Sequence, residues 1–456
     1  MKIPYPVNRR SRILASVLAL AVGNSLATEK DAKPADLSIM PIEEVAALAQ
    51  SIRPRIEQIR GLKFKRPVPV HIVDDAAARA HFKRRLQKFW PEKQMRLEQK
   101  AMIQLGLLPA GVDLEESLLT VLEEQTGGYY DPGTDTFYVL GDMPRSSAPI
   151  LIAHELTHAL DDQYYDIDSL LQRSSDNSDR SGVVGAVVEG SGMLVMSLYI
   201  VQEMGAHRLT PEALKDIAES EAGRGEKLKA APEALRRSLL APYLLGQTFL
   251  LKGNIMGLLG TFHPEDIDRV FRDPPASTEQ LLHPDKYWKQ DPPDVPLAIA
   301  LPDLSATLGE GWSLKGTGDL GELMLGILVG TPPIDITSAS ATFPSTWTNA
   351  AATGWGGDRW QLYAHGADTV TLLATLWDTP ADASEFVAAL ARPEGSRLHV
   401  RSSGSAVVII AGESPGPIER IASAALRLIA GGGAAATGRR PDPPRATGRS
   451  STRNGP

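Results

Sequence analysis

The spacing of apolar residues predicts a series of helices at the start of the chain. Residues 41–62 repeat apolar positions at helical spacing, and residues 75–105 are strongly charged and amphipathic. Between these segments, residues 64–74 are rich in β-branched side chains and predict a strand. Residues 113–125 predict another short helix. We expect the helices to form a cover over the rest of the fold.

A hairpin pattern comes next and leads into a helix that contains two histidines. In residues 127–144, two aromatic and β-branched runs flank the turn sequence Asp131-Pro132-Gly133. The following stretch, 150-ILIAHELTHALDDQYYD-166, is amphipathic at helical spacing. One face of this predicted helix is apolar and can pack on a core, while the other carries the histidines.

The remaining segments add more helix than strand. Residues 166–181 are rich in Ser and Asp and predict a loop, and residues 182–201 are almost continuously apolar, as in a core helix. Helical patterns fill residues 211–260, residues 272–303 form a Pro-rich connection, and residues 355–412 mix both patterns. The whole predicts an α+β fold that is predominantly helical, with a small sheet or hairpin before the histidine helix.

Shifts in composition along the chain predict five parts. They are a signal peptide (1–27), an N-terminal linker with the helical cover (28–112), a core (113–300), a mixed α/β region (301–430) and a disordered basic tail (431–456).

The first residues have the pattern of a secretory signal. Lys2 and three arginines precede the apolar run 13–23, and small residues then predict cleavage after Ala27. The alternative is an uncleaved membrane anchor, for which the run is short. We therefore expect an exported protein, periplasmic or extracellular, whose mature chain has no stable transmembrane segment.

Composition narrows the chemistry that is possible. The chain of 456 residues is 43% hydrophobic and 22% charged, which is typical of a folded globular protein. The absence of cysteine excludes disulfides, thiolate metal sites and cysteine nucleophiles. Removal of the four basic residues of the signal takes the formal charge from -8 to -12. This acidic balance argues against nucleic acid as a partner.

The two histidines are spaced for binding one metal ion. On an α-helix, His154 and His158 project from the same face one turn apart, so that both imidazoles can reach a shared ion. Glu155 lies about 100° round the helix from His154, beside such an ion. It is therefore placed to take a proton from a water activated by the metal.

A catalytic zinc site usually has three protein ligands, so a third must come from elsewhere. Asp161 points away from the two histidines, and Asp162 lies two turns beyond His154. Glu189 is the only charged residue within the apolar segment 182–201, where an unpaired carboxylate would be costly to bury. Glu189 is thus a candidate ligand. The alternatives are a structural hydrogen-bonding role and a membrane-spanning segment.

The sequence 154-HELTHA-159 is the HExxH signature, and with a glutamate about thirty residues on it resembles the thermolysin-like gluzincins. The resemblance implies a zincin-like core and one Zn²⁺ per chain, bound by His154, His158 and Glu189. It also implies Glu155 as the general base that activates a water for attack on a peptide bond. Met193 stands where thermolysin has an aspartate that orients a ligand histidine, so any such partner here must come from another position.

The wider layout resembles a group of exported bacterial predicted metallopeptidases without a well-defined substrate. The similar stretches are 129-YYDP-132, 154-HELTHALDDQ-163, 188-VEG-190, 276-ASTEQLLHPDKY-287, 354-GWGGDR-359 and 377-WDTPADA-383. The zincin likeness also suggests that 136-TFYVL-140 is an edge strand beside the cleft, along which a peptide could add by backbone hydrogen bonds; the alternative is an ordinary core strand.

Peptide hydrolysis also needs a donor that stabilises negative charge on the carbonyl oxygen. His283 with Tyr287 is our first candidate, because 277-STEQLLHPDKY-287 concentrates polar groups after the third ligand, as in the resembled family. The alternative for His283 is a capping or surface histidine before Pro284. Other candidates for the donor are Tyr164, Arg359 and His365.

Three functions remain open at this stage. The first is an exported zinc metallopeptidase that acts on a peptide or protein substrate. The second is a zinc-stabilised binding or envelope-assembly protein without turnover. The third is a zinc amidase that acts on a non-protein amide.

Overall fold

The computed structural model describes residues 38–431 except 142, 223–225, 260–261, 337, 391–397 and 413–414. The fold is α+β, mainly helical, with two small sheets, which confirms the predicted class. The predicted signal peptide and residues 432–456 of the predicted tail lie outside the described residues.

The predicted N-terminal cover contains four helices and one short strand. The charged segment 75–105 is divided into two helices because Pro91, which has no N–H, pushes the preceding residue out of the helical conformation. The elements are α1 (Ile42–Arg60), β1 (Val70–Val73), α2 (Asp75–Phe89), α3 (Glu92–Leu105) and α4 (Leu114–Gln125).

The predicted hairpin is present, as β2 (Gly128–Asp131) and β3 (Thr136–Leu140). The carboxylate of Asp131 holds the turn, because it accepts hydrogen bonds from the Gly133 amide and the Thr134 hydroxyl. The prediction that 136–140 is an edge strand is wrong. The strand order is β1-β3-β2, since the distant β1 pairs in parallel with β3, and no local pattern reveals such a pairing.

The histidine helix is α5 (Ala148–Tyr165), and it is followed by α6 (Ile167–Ser174) and α7 (Ser178–Gly205). The predicted loop at 166–181 is therefore wrong. Its polar residues are helix caps: the Asp166 carboxylate accepts from the Ser169 amide, and the Asn177 side chain accepts from the Arg180 amide.

The C-terminal part of the chain adds helices and a five-stranded sheet with antiparallel neighbours in the order β4-β5-β6-β8-β7. The elements are α8 (Pro211–Ala222), α9 (Glu226–Ala230), α10 (Glu233–Leu250), a 3₁₀ helix (Ile255–Leu259), α11 (Pro264–Arg272), α12 (Thr278–Leu282), α13 (Asp285–Trp288), α14 (Ser305–Leu308), β4 (Ser313–Gly318), α15 (Gly321–Leu328), 3₁₀ helices (Ala339–Thr342 and Pro344–Thr346), β5 (Trp355–His365), β6 (Asp368–Trp377), α16 (Pro380–Ala389), β7 (Leu398–Ser403), β8 (Ala406–Gly412) and α17 (Pro415–Gly431).

The helices and the large sheet share one continuous apolar core. Buried Ile152 of α5 and buried Trp360 of β5 belong to the same cluster of packed side chains. Helix α3 contacts the sheet directly, since the Gln104 amide donates to the Thr369 carbonyl at 3.0 Å. Helix α3 of the predicted cover therefore packs on the sheet and not only on the neighbouring helices.

Helix α7 runs through the helical part of the fold. It is long and apolar enough to cross a membrane by length and composition, and 83% of its most apolar window is buried against the rest of the described fold. A helix at the centre of a soluble core has the same properties.

Helices α7 and α10 cross at almost the smallest possible separation. A Cβ on Gly246 would lie 2.2 Å from the carbonyl oxygen of Ala186, and a Cβ on Gly190 would lie 2.5 Å from the carbonyl carbon of Gly246. Real Cβ atoms do not approach other atoms so closely, so only glycine fits at both positions. This contact fixes how near α10 lies to the middle of α7.

Buried carboxylates collect where the first turn of α7 meets the segment before α15. Glu98, Asp179, Asp319 and Asp358 are each at most 7% exposed. Burial raises the pKa of Glu98 to about 7, partly opposed by a hydrogen bond from Ser178. Burial likewise raises the pKa of Asp179 to about 7 and that of Asp358 to about 8.

These carboxylates predict a stability that falls as the pH rises from 5 to 8. A carboxyl group whose pKa is higher in the folded than in the unfolded protein stabilises the fold while it is protonated. This contribution is complete below the pKa of the unfolded state and is lost as the pH rises through the pKa of the folded state. Glu98→Gln keeps an acceptor for Ser178 but cannot ionise. We expect it to match the parent protein at pH 5 and to exceed it in unfolding free energy at pH 8 by up to about 3 kcal/mol. Thermal unfolding of both proteins across this range measures the difference. An equal loss of stability in the two proteins would contradict it.

Candidate metal centre

Two imidazoles face each other on the buried side of α5. His154 and His158 are 7% and 8% exposed, and their Nε2 atoms lie 2.9 Å apart. The ring planes are nearly perpendicular, at 86°. Both rings therefore direct one nitrogen to the same small space, as their spacing in the sequence predicted.

Glu189 on α7 completes a three-atom cluster with the two rings. Its Oε2 lies 3.2 Å from His154 Nε2 and 3.4 Å from His158 Nε2. Burial works against its negative charge, but the neighbouring imidazoles outweigh this and hold the pKa of Glu189 well below its ordinary value. The side chain remains 25% exposed, so the cluster is open to solvent on one side.

The spacing of the three atoms fits a tetrahedral zinc ion. Zn–N and Zn–O bonds of about 2.0–2.1 Å place tetrahedral ligand atoms about 3.3 Å apart. The three observed distances, 2.9, 3.2 and 3.4 Å, lie around this value. Among the described residues, neither buried Nδ1 atom has a hydrogen-bond partner. The polar contacts of both rings are thus concentrated at Nε2.

Gly192 makes room for the imidazoles. A Cβ at this position would lie 2.6 Å from His154 Cε1 and 2.8 Å from His158 Cε1. Unlike the glycines at the crossing with α10, this one is required by the histidine side chains. The pattern of residues in α7 is therefore adapted to the cluster.

Glu155 lies beside the cluster and does not belong to the three-atom group. It is 6% exposed, and its carboxylate accepts a 2.8 Å hydrogen bond from the backbone amide of Tyr130 in β2. Burial raises the pKa of Glu155 to about 7, although His154 and the Tyr130 amide oppose the shift. The hairpin thus fixes the carboxylate next to the histidines.

Tyr243 on α10 is a neighbour of the cluster that the sequence did not predict. Its ring stacks on His154 with 6.2 Å between centroids, and its hydroxyl lies near the carboxylate of Glu189. Burial and the negative charges of Glu189 and Glu155 raise its pKa well above the usual value. Tyr243 is part of no motif, and only the close crossing of α7 and α10 brings it here.

The two aspartates that follow the histidines have other partners. Asp161 forms a buried ion pair with Arg60 of α1 at 2.6 Å and accepts a 2.5 Å hydrogen bond from the Ser191 hydroxyl of α7. Asp162 accepts hydrogen bonds from the Tyr130 hydroxyl and the Ile167 amide. Both therefore hold α5 in place, and neither is one of the three cluster residues.

The structure gives the predicted donors His283 and Tyr287 other roles. The His283 ring lies 3.0 Å from the carboxylate of Glu322, which is 0% exposed and also accepts from the Thr348 hydroxyl. The Tyr287 hydroxyl donates to the Asp273 carbonyl. The structure does not support the prediction that they serve the cluster. The same holds for the other candidates: Tyr164 donates to the Lys63 carbonyl, Arg359 pairs with Asp319, and His365 packs beside Trp312.

A second group of acidic side chains is explained without a metal. Glu279, Asp294 and Asp378 surround the ammonium group of Lys286 at 2.5, 2.8 and 3.3 Å. The lysine supplies the positive charge that these carboxylates require.

Comparison with known proteins gives one family match. A family described as a domain of unknown function (DUF8575) matches residues 313–422, from β4 into α17. The match covers the five-stranded sheet and excludes α5 and α7, which carry the histidine cluster. No curated protein and no solved structure matches the chain.

If the cluster binds Zn²⁺, the close fit at Gly192 predicts that a larger residue at this position weakens the binding. Gly192→Ala places a methyl group against both imidazoles and should weaken Zn²⁺ binding about 10–100-fold, the size of effect seen when the support of metal ligands is disturbed. Competition with a chelator measures the affinity. Gly182→Ala is the matched control in the same helix, because a Cβ there meets nothing within 4 Å. Equal affinities in the two variants would contradict this account of the site.

Proposed function

We propose that the protein is an exported zinc-dependent peptidase of gluzincin type, with a zincin-like core formed by the hairpin, α5 and α7. The observation that carries the proposal is the convergence of His154 Nε2, His158 Nε2 and Glu189 Oε2 to within 3.4 Å, with Glu155 held beside them. The Glu189 side chain is 25% exposed, so solvent reaches the cluster from one side. The HExxH signature, with a glutamate on the following long helix, agrees with this reading.

The three cluster residues would hold the metal, and each is suited to that role. Neutral imidazole nitrogens and a carboxylate oxygen are ligands that zinc accepts in catalytic sites. Zinc bound by this set supplies Lewis acidity, which activates water and polarises a carbonyl group. The hydrogen bond from Ser191 to Asp161 joins α7 to α5, and the buried ion pair between Arg60 and Asp161 joins α5 to α1.

Glu155 is the residue that moves the proton. The Tyr130 amide fixes one carboxylate oxygen, and the rest of the group is free to take a proton from the attacking water and to pass it to the leaving amine. A carboxylate that is buried and held next to the ligands needs little reorganisation to do this. Its position, one residue after His154, is the same one that the signature predicts.

Tyr243 is a positioning residue in this scheme. Its ring stacks on His154 and its hydroxyl lies near Glu189, so it can orient two of the three proposed ligands from a third helix. Tyr243 thus orients ligands from another position, whereas Met193, which stands where thermolysin has an orienting aspartate, has no group that could do so. Met193 is 1% exposed and packs in an apolar cluster with Ile150 and Met196.

Three variants test the proposed function. The purified protein should bind one zinc per chain and cleave peptides, and Glu155→Gln should keep the zinc but lose activity by about 10²–10⁴-fold, the usual contribution of a general base. Glu189→Ala should lose both zinc and activity. His283→Ala is the control and should keep both, because His283 pairs with Glu322.

Each other result points to a definite alternative. Zinc well below one per chain in the parent protein would refute the site. Unchanged biological activity in Glu155→Gln would indicate a zinc-stabilised binding protein, and turnover of amides other than peptides, with none of peptides, would indicate an amidase.

The role of Tyr243 gives a separate prediction. Tyr243→Phe removes only the hydroxyl, so zinc affinity should fall about 10–100-fold while turnover at saturating zinc stays near that of the parent protein. Chelator competition together with kcat at saturating zinc measures both quantities. Unchanged zinc affinity with a large loss of kcat would show instead that the hydroxyl contacts the substrate.

A further inference from the structure

A large apolar cavity lies beside the metal centre, between α2–α4 on one side and α7, α10 and α15 on the other. Its volume is about 490 Å³, and most of its wall is formed by large apolar side chains such as Phe89, Leu118, Leu235 and Leu323. This is roughly three times the cavity of about 150 Å³ that holds a benzene molecule. The space is partly open to the surface, so a ligand can enter it without any part of the fold being displaced.

Two glycines of α7 keep this space open. Gly182 and Gly185 line the cavity, and a Cβ at either position would meet nothing within 4 Å. Gly190 and Gly192 in the same helix are different, because close contacts leave no room for a side chain there. Glycine inside a helix lowers helix stability. At positions 182 and 185, close packing does not require glycine. The effect of glycine there is that no side chain fills the cavity.

One end of the cavity is acidic. Glu98, Asp179 and Asp319 line it and lie near the first turn of α7, and each is at most 7% exposed. Asp319 pairs with Arg359. Glu98 and Asp179 form no ion pair within the described part of the chain; they accept hydrogen bonds from Ser178 and from Thr278. Arg85 also lines the cavity but is paired with Asp168. Burial raises the pKa of Glu98 and of Asp179 to about 7, so above this pH the cavity has an excess of negative charge.

The wall favours an alkyl chain over a peptide. A peptide would bring backbone N–H and C=O groups that need partners once buried, and the apolar wall offers few of them. An unbranched alkyl chain has no such groups, and flexible aliphatic side chains can pack along it. A cationic head group would complement Glu98 and Asp179, whereas an anionic head group would be repelled.

We propose that this cavity binds an amphiphile with a long alkyl chain and a cationic head group, the head at Glu98 and Asp179 and the chain along Gly182 and Gly185. The chain would end close to the metal centre, since Gly185 lies one helical turn before Glu189 and Pro242 of the wall directly precedes Tyr243. The binding itself does not depend on metal or on peptidase activity.

Calorimetric titration of the full chain at pH 8, where Glu98 and Asp179 are ionised, with two matched probes tests the charge preference. The probes are dodecyltrimethylammonium and dodecanoate, each used below the concentration at which it forms micelles. We expect saturable binding of one dodecyltrimethylammonium per chain, at least tenfold tighter than that of dodecanoate. Absence of saturable binding, or equal affinity for the two probes, would overturn the proposal.

Variants in the wall test the location. Gly185→Leu fills the cavity and should weaken the binding of dodecyltrimethylammonium at least tenfold, while Gly185→Ala should change it less than threefold. Ser238→Leu fills the same space from α10 and should act like Gly185→Leu, which provides a second test if that variant does not fold. Glu98→Gln should reduce the preference for the cationic probe. Unchanged binding in the folded leucine variants would place the probe elsewhere and overturn the proposal.

Discussion

Where α7 passes α5, residue 192 has no side chain, and the rings of His154 and His158 occupy the space that a Cβ would need. This close approach brings Glu189, one turn earlier in α7, to within 3.4 Å of both rings. The packing of α5 is further stabilised by Asp161, which pairs with Arg60 of α1 and accepts a hydrogen bond from Ser191 of α7. The cluster is therefore a consequence of how two helices pack.

A second close crossing extends the same principle to α10. Gly190 and Gly246 let α10 lie against α7, and this places Tyr243 next to Glu189 and His154. The hairpin supplies the last constraint, because the Tyr130 amide holds Glu155. Two carboxylates thus lie side by side in different surroundings: Glu189 faces two imidazoles, and Glu155 accepts from a backbone amide. The difference in surroundings is what separates a ligand from a base in the proposed mechanism.

The local parts of this site could be predicted from the sequence, and the contacts between distant segments could not. The spacing of His154 and His158 on one helix face follows from helix geometry alone, and Glu189 stood out because a lone carboxylate in an apolar helix needs a partner. Tyr243 carried no signal, since its role depends on a helix crossing. His283 is the opposite case: its position in a polar stretch suggested the site, and in the structure its ring pairs with the buried Glu322.

The fold shows the same division. The hairpin and the helices were predicted from periodicity and turn residues, whereas the parallel pairing of β1 with β3 was not, because it joins segments far apart in the chain. The caps at Asp166 and Asn177 were mistaken for a loop, since the residues that begin helices are also those that form turns. The five-stranded sheet, which carries the DUF8575 match, packs on the helical part through a shared core and through α3.

The proposed function depends on whether the three side chains form a metal site. A crystal structure of the zinc-loaded protein, with anomalous scattering recorded at the zinc edge, would show this. We expect one strong anomalous peak about 2.0–2.2 Å from His154 Nε2, His158 Nε2 and a carboxylate oxygen of Glu189. A structure in which zinc lies elsewhere, or in which the two Nε2 atoms remain in direct contact with no metal between them, would contradict it.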